Sequence, residues 1–226
     1  MAIYLDNAAT TRMRPEAVAA YVEQAQRAGN PSSVHAAGQD ARFTVEMGRA
    51  EVARSVGADA AEVIFTSGGT ESINIAIKGT YWKTIATHPE RRFIIAPEGE
   101  HHATLDSVEW LEQTQGAQVL WARVDRNGRV RLDDMEEFIS EHPGQVALLT
   151  TMLANNEVGT VQPVSQIAAL ARSAGIPVHL DAVSAYGQLP LDFHRWGVQA
   201  MSVAAHKIGG PAGVGALVLD RSLAPT

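Results

Sequence analysis

Cysteine is missing altogether from the 226 residues. That excludes disulfides, thiolate metal sites and a thiol nucleophile within the chain itself. Positive charge is also scarce: 18 Lys and Arg against 25 Asp and Glu give a formal net charge of −7, and no basic run occurs. Nucleic acid and anionic membranes are therefore not expected partners. No apolar run is long enough to span a bilayer, and Met1-Ala2-Ile3-Tyr4-Leu5-Asp6 lacks the basic region of a signal peptide. A cytoplasmic protein is the expectation. Internal repeats, low-complexity tracts and interdomain linkers are absent as well. What the chain does have is hydrophobic residues, 46% of the total, enough for the core of one sizeable α/β domain.

Residues 1–14 read as an extended lead-in and 15–226 as the domain. Pro15 at a first helical turn starts a helix with Val18, Tyr21, Val22 and Ala25 on one face, ending at Gly29-Asn30. The turn cluster Asn30-Pro31-Ser32-Ser33 is expected to cap a second helix over 34–56. Residues 62–66 read as a buried strand that breaks at Ser67-Gly68-Gly69-Thr70-Glu71 into a helix bearing Ile73, Ile77, Tyr81 and Ile85. Strands are expected at 92–96, 117–122, 145–153, 176–180, 199–203 and 215–220. Helices are expected after Glu100-His101-His102, over 132–141 with Asp133 as cap, and over 163–174 closed by Gly175. This alternation predicts a mostly parallel, doubly wound α/β sheet with helices on both faces.

In a parallel sheet, ligands bind outside the carboxyl ends of the strands, and the unusual residues of this chain fall there. Lys207 follows the strand 199–203 and precedes Gly209-Gly210-Pro211, where the backbone turns sharply. A lone loop lysine is ordinarily just solvated. One shielded from water loses pKa and becomes an amine nucleophile for a carbonyl. Gly69-Thr70 joins a strand to a helix N-terminus, where bare N–H groups and the helix dipole favour a phosphate. The lysine of a nucleotide P-loop is missing there, and a plain tight turn is the bland alternative.

Asp181 ends an apolar strand and needs a cationic or hydrogen-bonding partner: a protonated pyridine nitrogen, an arginine or a helix N-terminus. His101 can stack on a planar heteroaromatic ring and move protons near neutral pH, which makes it a catalytic candidate beside Lys207, or it can cap a helix or sit in the core. Asn156 can bind a ring hydroxyl or serve in a turn, and His206 can bind phosphate or shape the lysine. Taken together, a phosphate cradle, a ring-nitrogen carboxylate, a stacking imidazole, a hydroxyl partner and a Schiff-base lysine describe pyridoxal 5′-phosphate.

The motifs also resemble a family. Tyr4-Leu5-Asp6-Asn7-Ala8-Ala9-Thr10-Thr11, Gly29-Asn30-Pro31-Ser32-Ser33 with His35, and Thr66-Ser67-Gly68-Gly69-Thr70-Glu71-Ser72 are similar to those of cysteine desulfurases. So are Glu100-His101, Asn155-Asn156-Glu157-Val158-Gly159, His179-Leu180-Asp181-Ala182 and His206-Lys207. Those enzymes belong to the class V aminotransferases of pyridoxal-phosphate fold type I, and the match runs in order along nearly the whole chain. The resemblance implies Lys207 as the Schiff-base lysine and Asp181 on the pyridine nitrogen. It implies Gly69, Thr70 and His206 at the phosphate, His101 on the ring and Asn156 near the ring hydroxyl. The implied reaction turns L-cysteine into L-alanine and passes sulfur to a mobile-loop cysteine as a persulfide, in the service of sulfur transfer and iron–sulfur cluster assembly. A homodimer and a sulfur-acceptor protein are the implied partners.

Three departures qualify the transfer. Ser184 stands where the family has a glutamine that bonds the ring oxygen, and Ala204 where it has a serine or threonine that bonds phosphate. At about 1 kcal/mol for a typical hydrogen bond, either loss loosens the cofactor rather than excluding it. The sequence also stops soon after Asp220, where the family continues through a C-terminal small domain. That domain carries the substrate-carboxylate arginine, the persulfide cysteine and a phosphate contact to the partner subunit. The chain is thus read as most of the large domain, a fragment or a naturally short relative, not expected to complete the cycle alone. The rival readings are a selenocysteine or sulfoxide C–S lyase, a non-catalytic remnant of the fold, and a zinc hydrolase using His101, His102, His179 and Asp181. The last leaves Lys207 and the Gly-Gly turn unexplained.

Overall fold

The computed structural model describes residues 3–223. Met1 and Ala2 of the lead-in and residues 224–226 of the domain lie outside the described residues. Among these, seven strands form one sheet in the order β1-β7-β6-β5-β4-β2-β3. They are β1 (Val63–Thr66), β2 (Phe93–Pro97), β3 (Gln118–Ala122), β4 (Val146–Met152), β5 (Val178–Asp181), β6 (Ala200–Ala204) and β7 (Gly215–Leu219). β6, β5, β4, β2 and β3 pair in parallel, while β7 is antiparallel to both β6 and β1. Only β7 is reversed, so β1, β2, β4, β5 and β6 all end at one rim. The mostly parallel sheet read from the sequence is the one found.

Alternation along the strands sorts the sheet's two faces. Met201 and Val203 of β6, Leu180 of β5 and Val218 of β7 join a large core with helices α2 (Ala36–Val56), α5 (Leu132–Glu141) and α6 (Val164–Ser173). On the opposite face α3 (Gly69–Thr87) and α4 (His102–Gln115) bury Ile73, Ile77, Tyr81, Val108 and Leu111 against Ile94 and Leu148. A two-sided apolar sheet sandwiched this way accounts for the nearly unbroken burial of β4 and β6. Gly215 is required where β7 passes the β1–α3 turn: a Cβ there would lie 2.6 Å from the Gly68 carbonyl carbon.

Several local expectations change. The strand read as buried over 62–66 is an edge strand, with Ile64 and Phe65 exposed at 42% and 38%; β7 doubles back between it and the rest of the sheet. Helix α1 (Pro15–Ala25) starts at Pro15 as read but ends at Ala25, short of Gly29-Asn30; none of its residues is buried, and Val18, Tyr21 and Val22 face outward. The α2 cap is His35, whose Nδ1 accepts from the Gly38 N–H at 3.3 Å, not the Asn30–Ser33 cluster. Asp133 does not cap α5; Arg131 occupies that position without a side-chain bond. Its neighbour Asp134 is the buried one, fixed by the backbone N–H of Arg123 and by two guanidinium bonds from the same residue. A short helix α7 (Phe193–Trp196), capped by Asp192, was not visible in the periodicity.

Candidate active site

The rim where the parallel strands end encloses a cavity of about 340 Å³. Gly69 and Thr70 open α3 on one wall. Gly68 at the cap position offers no side chain, so the first-turn N–H groups, which no intrahelical carbonyl can satisfy, are left without a side-chain cap beside the cavity that Gly69 and Thr70 line. His101 follows β2 and does two things: it lines the cavity, and its Nδ1 accepts from the Ala103 N–H at 3.1 Å to cap α4. That bond places the ring proton of the neutral tautomer on Nε2. Asn156 follows β4 in a loop set by its neighbour Asn155. The side-chain Oδ1 of Asn155 accepts from the N–H groups of Glu157 and Val158, and its side-chain amide donates to Gly99 O at 3.0 Å.

Asp181 closes β5, is 6% exposed and takes the Val183 N–H on Oδ1 at 2.9 Å. Burial pushes its carboxyl pKa up, while that N–H, His101 and Lys207 pull it down. Lys207 lies in a 3₁₀ turn, Ala205–Lys207, directly after β6. Burial lowers its pKa, opposed by the carboxylates of Asp181 and Asp6, and its amine donates to the carbonyl of Ala8. His206 beside it is lowered as well, first by burial and then by the lysine's charge. Ser184 lines the cavity at the foot of the β5 loop. Ala204 is different: it is 1% exposed at the end of β6 and is not part of the cavity wall.

The lead-in is more than an approach to the domain. Thr11 donates both its N–H and its hydroxyl to His206 O, at 2.9 and 2.8 Å, and accepts the Gly209 N–H at 2.7 Å. Residues near the N-terminus thus strap the lysine turn from almost two hundred positions away, and Ala9 joins the cavity wall. Sequence reasoning also passed over Met152, Val183 and Ile73, the apolar lining. Beneath them runs a polar ladder across three strands: Thr150 Oγ1 to His179 Nδ1, and His179 Nε2 to Ser202 Oγ, both at 2.9 Å. With both nitrogens engaged and full burial holding its pKa down to about 3, His179 is a neutral structural group.

The zinc-hydrolase reading fails on this geometry. Among the described residues the group spaced to hold a metal ion is Asp59, Glu62 and His194, and Glu62 there already accepts from the Asp59 N–H and from His194. Pyridoxal 5′-phosphate fits the residues present: an open helix N-terminus, a buried carboxylate and a partly buried amine face one space.

A family model, aminotransferase class-V, matches residues 3–226. The chain is 49% identical over 220 residues to an IscS-like cysteine desulfurase of Mycobacterium tuberculosis, covering 97% of this chain and 56% of that protein. It is 39% identical to the cysteine desulfurase IscS of Dictyoglomus turgidum, covering 97% and 54%. Among solved structures, a NifS-like protein superimposes with a TM-score of 0.91 at 34% identity, over 99% of this chain and 60% of that one. A structure described as SspA in complex with cysteine does so with a TM-score of 0.89 at 32% identity, over 96% and 61%. The chain spans little more than half the length of the curated relatives it matches.

Proposed function

Because the chain belongs to the aminotransferase class-V family, we propose that it holds pyridoxal 5′-phosphate and serves a reaction of the cysteine desulfurase type. The observation that carries the reading is one cavity lined by Gly69, Thr70, His101, Asn156, Asp181, Ser184, His206 and Lys207, residues drawn from five separate strand ends.

Bound there, the cofactor supplies an aldehyde for amines and an electron-withdrawing ring. Lys207 offers the amine, in a setting that lowers its pKa and so enlarges its nucleophilic fraction. Asp181 would hold a proton on the ring nitrogen, His101 would lie against the ring and the first turn of α3 would receive the phosphate. Nε2 of His101, left free by the Nδ1 cap, would move a proton at the substrate. Asn156 would orient the ring hydroxyl, and Ser184 would give the same region a shorter polar contact.

The substrate proposed is L-cysteine. A thiol attacks its sulfur, the carbon–sulfur bond breaks toward carbon, and a proton completes L-alanine, leaving the attacking thiol as a persulfide. With no cysteine in the 226 residues, that thiol comes from outside them, and a sulfur-acceptor protein follows in turn. A homodimer is the proposed assembly, supported by the outward apolar residues of α1 and by Phe43 and Met47 of α2. The proposed setting is cytoplasmic; among the described residues no helix is long and apolar enough to cross a membrane. Adding pyridoxal phosphate should produce a visible absorption band that L-cysteine then shifts. A spectrum equal to the sum of protein and cofactor would count against the reading.

A further inference from the structure

Directly before His101 lies a carboxyl group that the proposed chemistry does not use. Glu100 is 7% exposed. Its Oε1 accepts from the Met152 N–H at 2.8 Å, and Oε2 is buried without a hydrogen-bond partner among the described residues. Thr104 Oγ1, one turn further along α4, is buried and unpartnered too. Met152 ends β4, lines the cavity and pairs in register with Asp181.

An ionised carboxylate offers about four acceptor sites, and this one fills a single site in a dry setting. Burying a charge so poorly compensated is far more costly than burying a neutral acid. A second carboxylate makes it worse: Asp181 acts on Glu100 across the β4–β5 pair, and two adjacent buried carboxyls do not both ionise readily. The two are unequally supported. Asp181 has the Val183 N–H with His101 and Lys207 close enough to favour its charge; Glu100 has the Met152 N–H alone.

We infer that Glu100 is a positioning residue held as a neutral carboxylic acid behind Asp181, tying the end of β4 in place and leaving Asp181 as the one buried anion facing the cavity. The charged and titratable groups around it agree: Asp181 comes from β5, His101 from its own segment, β4 presents only the neutral Met152, and Lys207 acts through Asp181. Burial, opposed by the Met152 bond and reinforced by Asp181, moves the Glu100 pKa up to about 8. The inference rests on the cofactor reading only for what Asp181's charge is kept for; the protonation of Glu100 belongs to the chain alone.

The test therefore starts without cofactor. Glu100→Gln mimics the neutral acid in shape and polarity; it should match wild type at about pH 4 and, by about pH 6, unfold roughly thirty-fold less readily, because the unfolded glutamate has ionised while the folded one keeps its proton. Between about pH 7 and about pH 9 the wild-type unfolding constant should rise by roughly a further ten-fold relative to that variant and then level off, since the folded protein keeps a proton the unfolded chain has released until the buried acid ionises at about pH 8. Glu100→Ala, which leaves a hole and an unpaired Met152 N–H, should be weakened at every pH. A wild-type infrared band of a protonated carboxyl, absent from Glu100→Gln, should disappear over the same interval. Failure of Glu100→Gln to fold, destabilisation matching Glu100→Ala, an unchanged alkaline profile or absence of that band would each overturn the inference. With pyridoxal phosphate added, Glu100→Gln should retain borohydride-fixed cofactor above about pH 8 where wild type loses it. Loss in the variant alone overturns the positioning role. Loss in both proteins at every pH strikes the cofactor reading and leaves the cofactor-free result standing.

Discussion

Replacing His179 by phenylalanine separates two effects that its buried ladder combines. The hydroxyls of Thr150 and Ser202 lose their shared partner, and at about 1–3 kcal/mol for each buried polar group left unpaired, His179→Phe should cost roughly 2–6 kcal/mol at neutral pH. The variant should also respond less to acid. The unfolded imidazole takes a proton below about pH 6.5, whereas the folded one, fully buried, resists until about 3. Between those values the unfolded state binds more protons, so stability falls as pH falls. From about pH 7 to about pH 5 this linkage removes about 2 kcal/mol from the wild type and nothing from the variant.

Glu100, with its raised pKa, works in the opposite direction over the same interval: the folded protein binds the extra proton, and acidification stabilises it. Absolute acid stability therefore says little about either residue, but Glu100 is common to both proteins and cancels in the comparison. Urea unfolding followed by circular dichroism at the two pH values gives the four free energies required. Equal pH effects in wild type and His179→Phe would refute the assignment of His179 as a neutral buried bridge.

Two further predictions concern the places where residue size matters. Ser184 lines the cavity and Ala204 does not, so Ser184→Gln should tighten pyridoxal phosphate about five-fold, the worth of one net hydrogen bond near 1 kcal/mol. Ala204→Ser should change it by less than about two-fold on the same scale, both read by fluorescence titration. Gly215→Ala should lower the melting temperature by the equivalent of about 1–3 kcal/mol, the cost of overpacking against the Gly68 backbone.

The strand-end residues were legible because each lies where a run of apolar residues stops, and a parallel sheet carries all such stops to one rim. Lys207, Asp181 and Gly69 could be placed together before any coordinate was known. The lead-in's role was not legible in spacing, since Thr11 and His206 meet only after the sheet is built. Periodicity marked α1 as amphipathic without saying what its apolar side meets, and within this chain it meets nothing that buries it. The exposure of β1 follows from the reversed β7, a matter of strand order that no local pattern encodes. Glu100 carried no role of its own in the Glu100-His101 motif, because a carboxyl before a helix reads as solvated until burial is known. An imidazole cap such as His35 is likewise hidden by the ordinary preference for Ser, Thr, Asn and Asp at that position.

The central claim is that the amine of one lysine, shielded at the end of β6 and facing the Asp181 carboxylate across a shared cavity, takes the aldehyde of the cofactor. Incubation with pyridoxal phosphate, borohydride reduction and peptide mass mapping test it directly. The account predicts one reduced pyridoxyl group per chain, on Lys207, and its absence after Lys207→Ala; label on Lys78 or Lys83, or none at all, would contradict it.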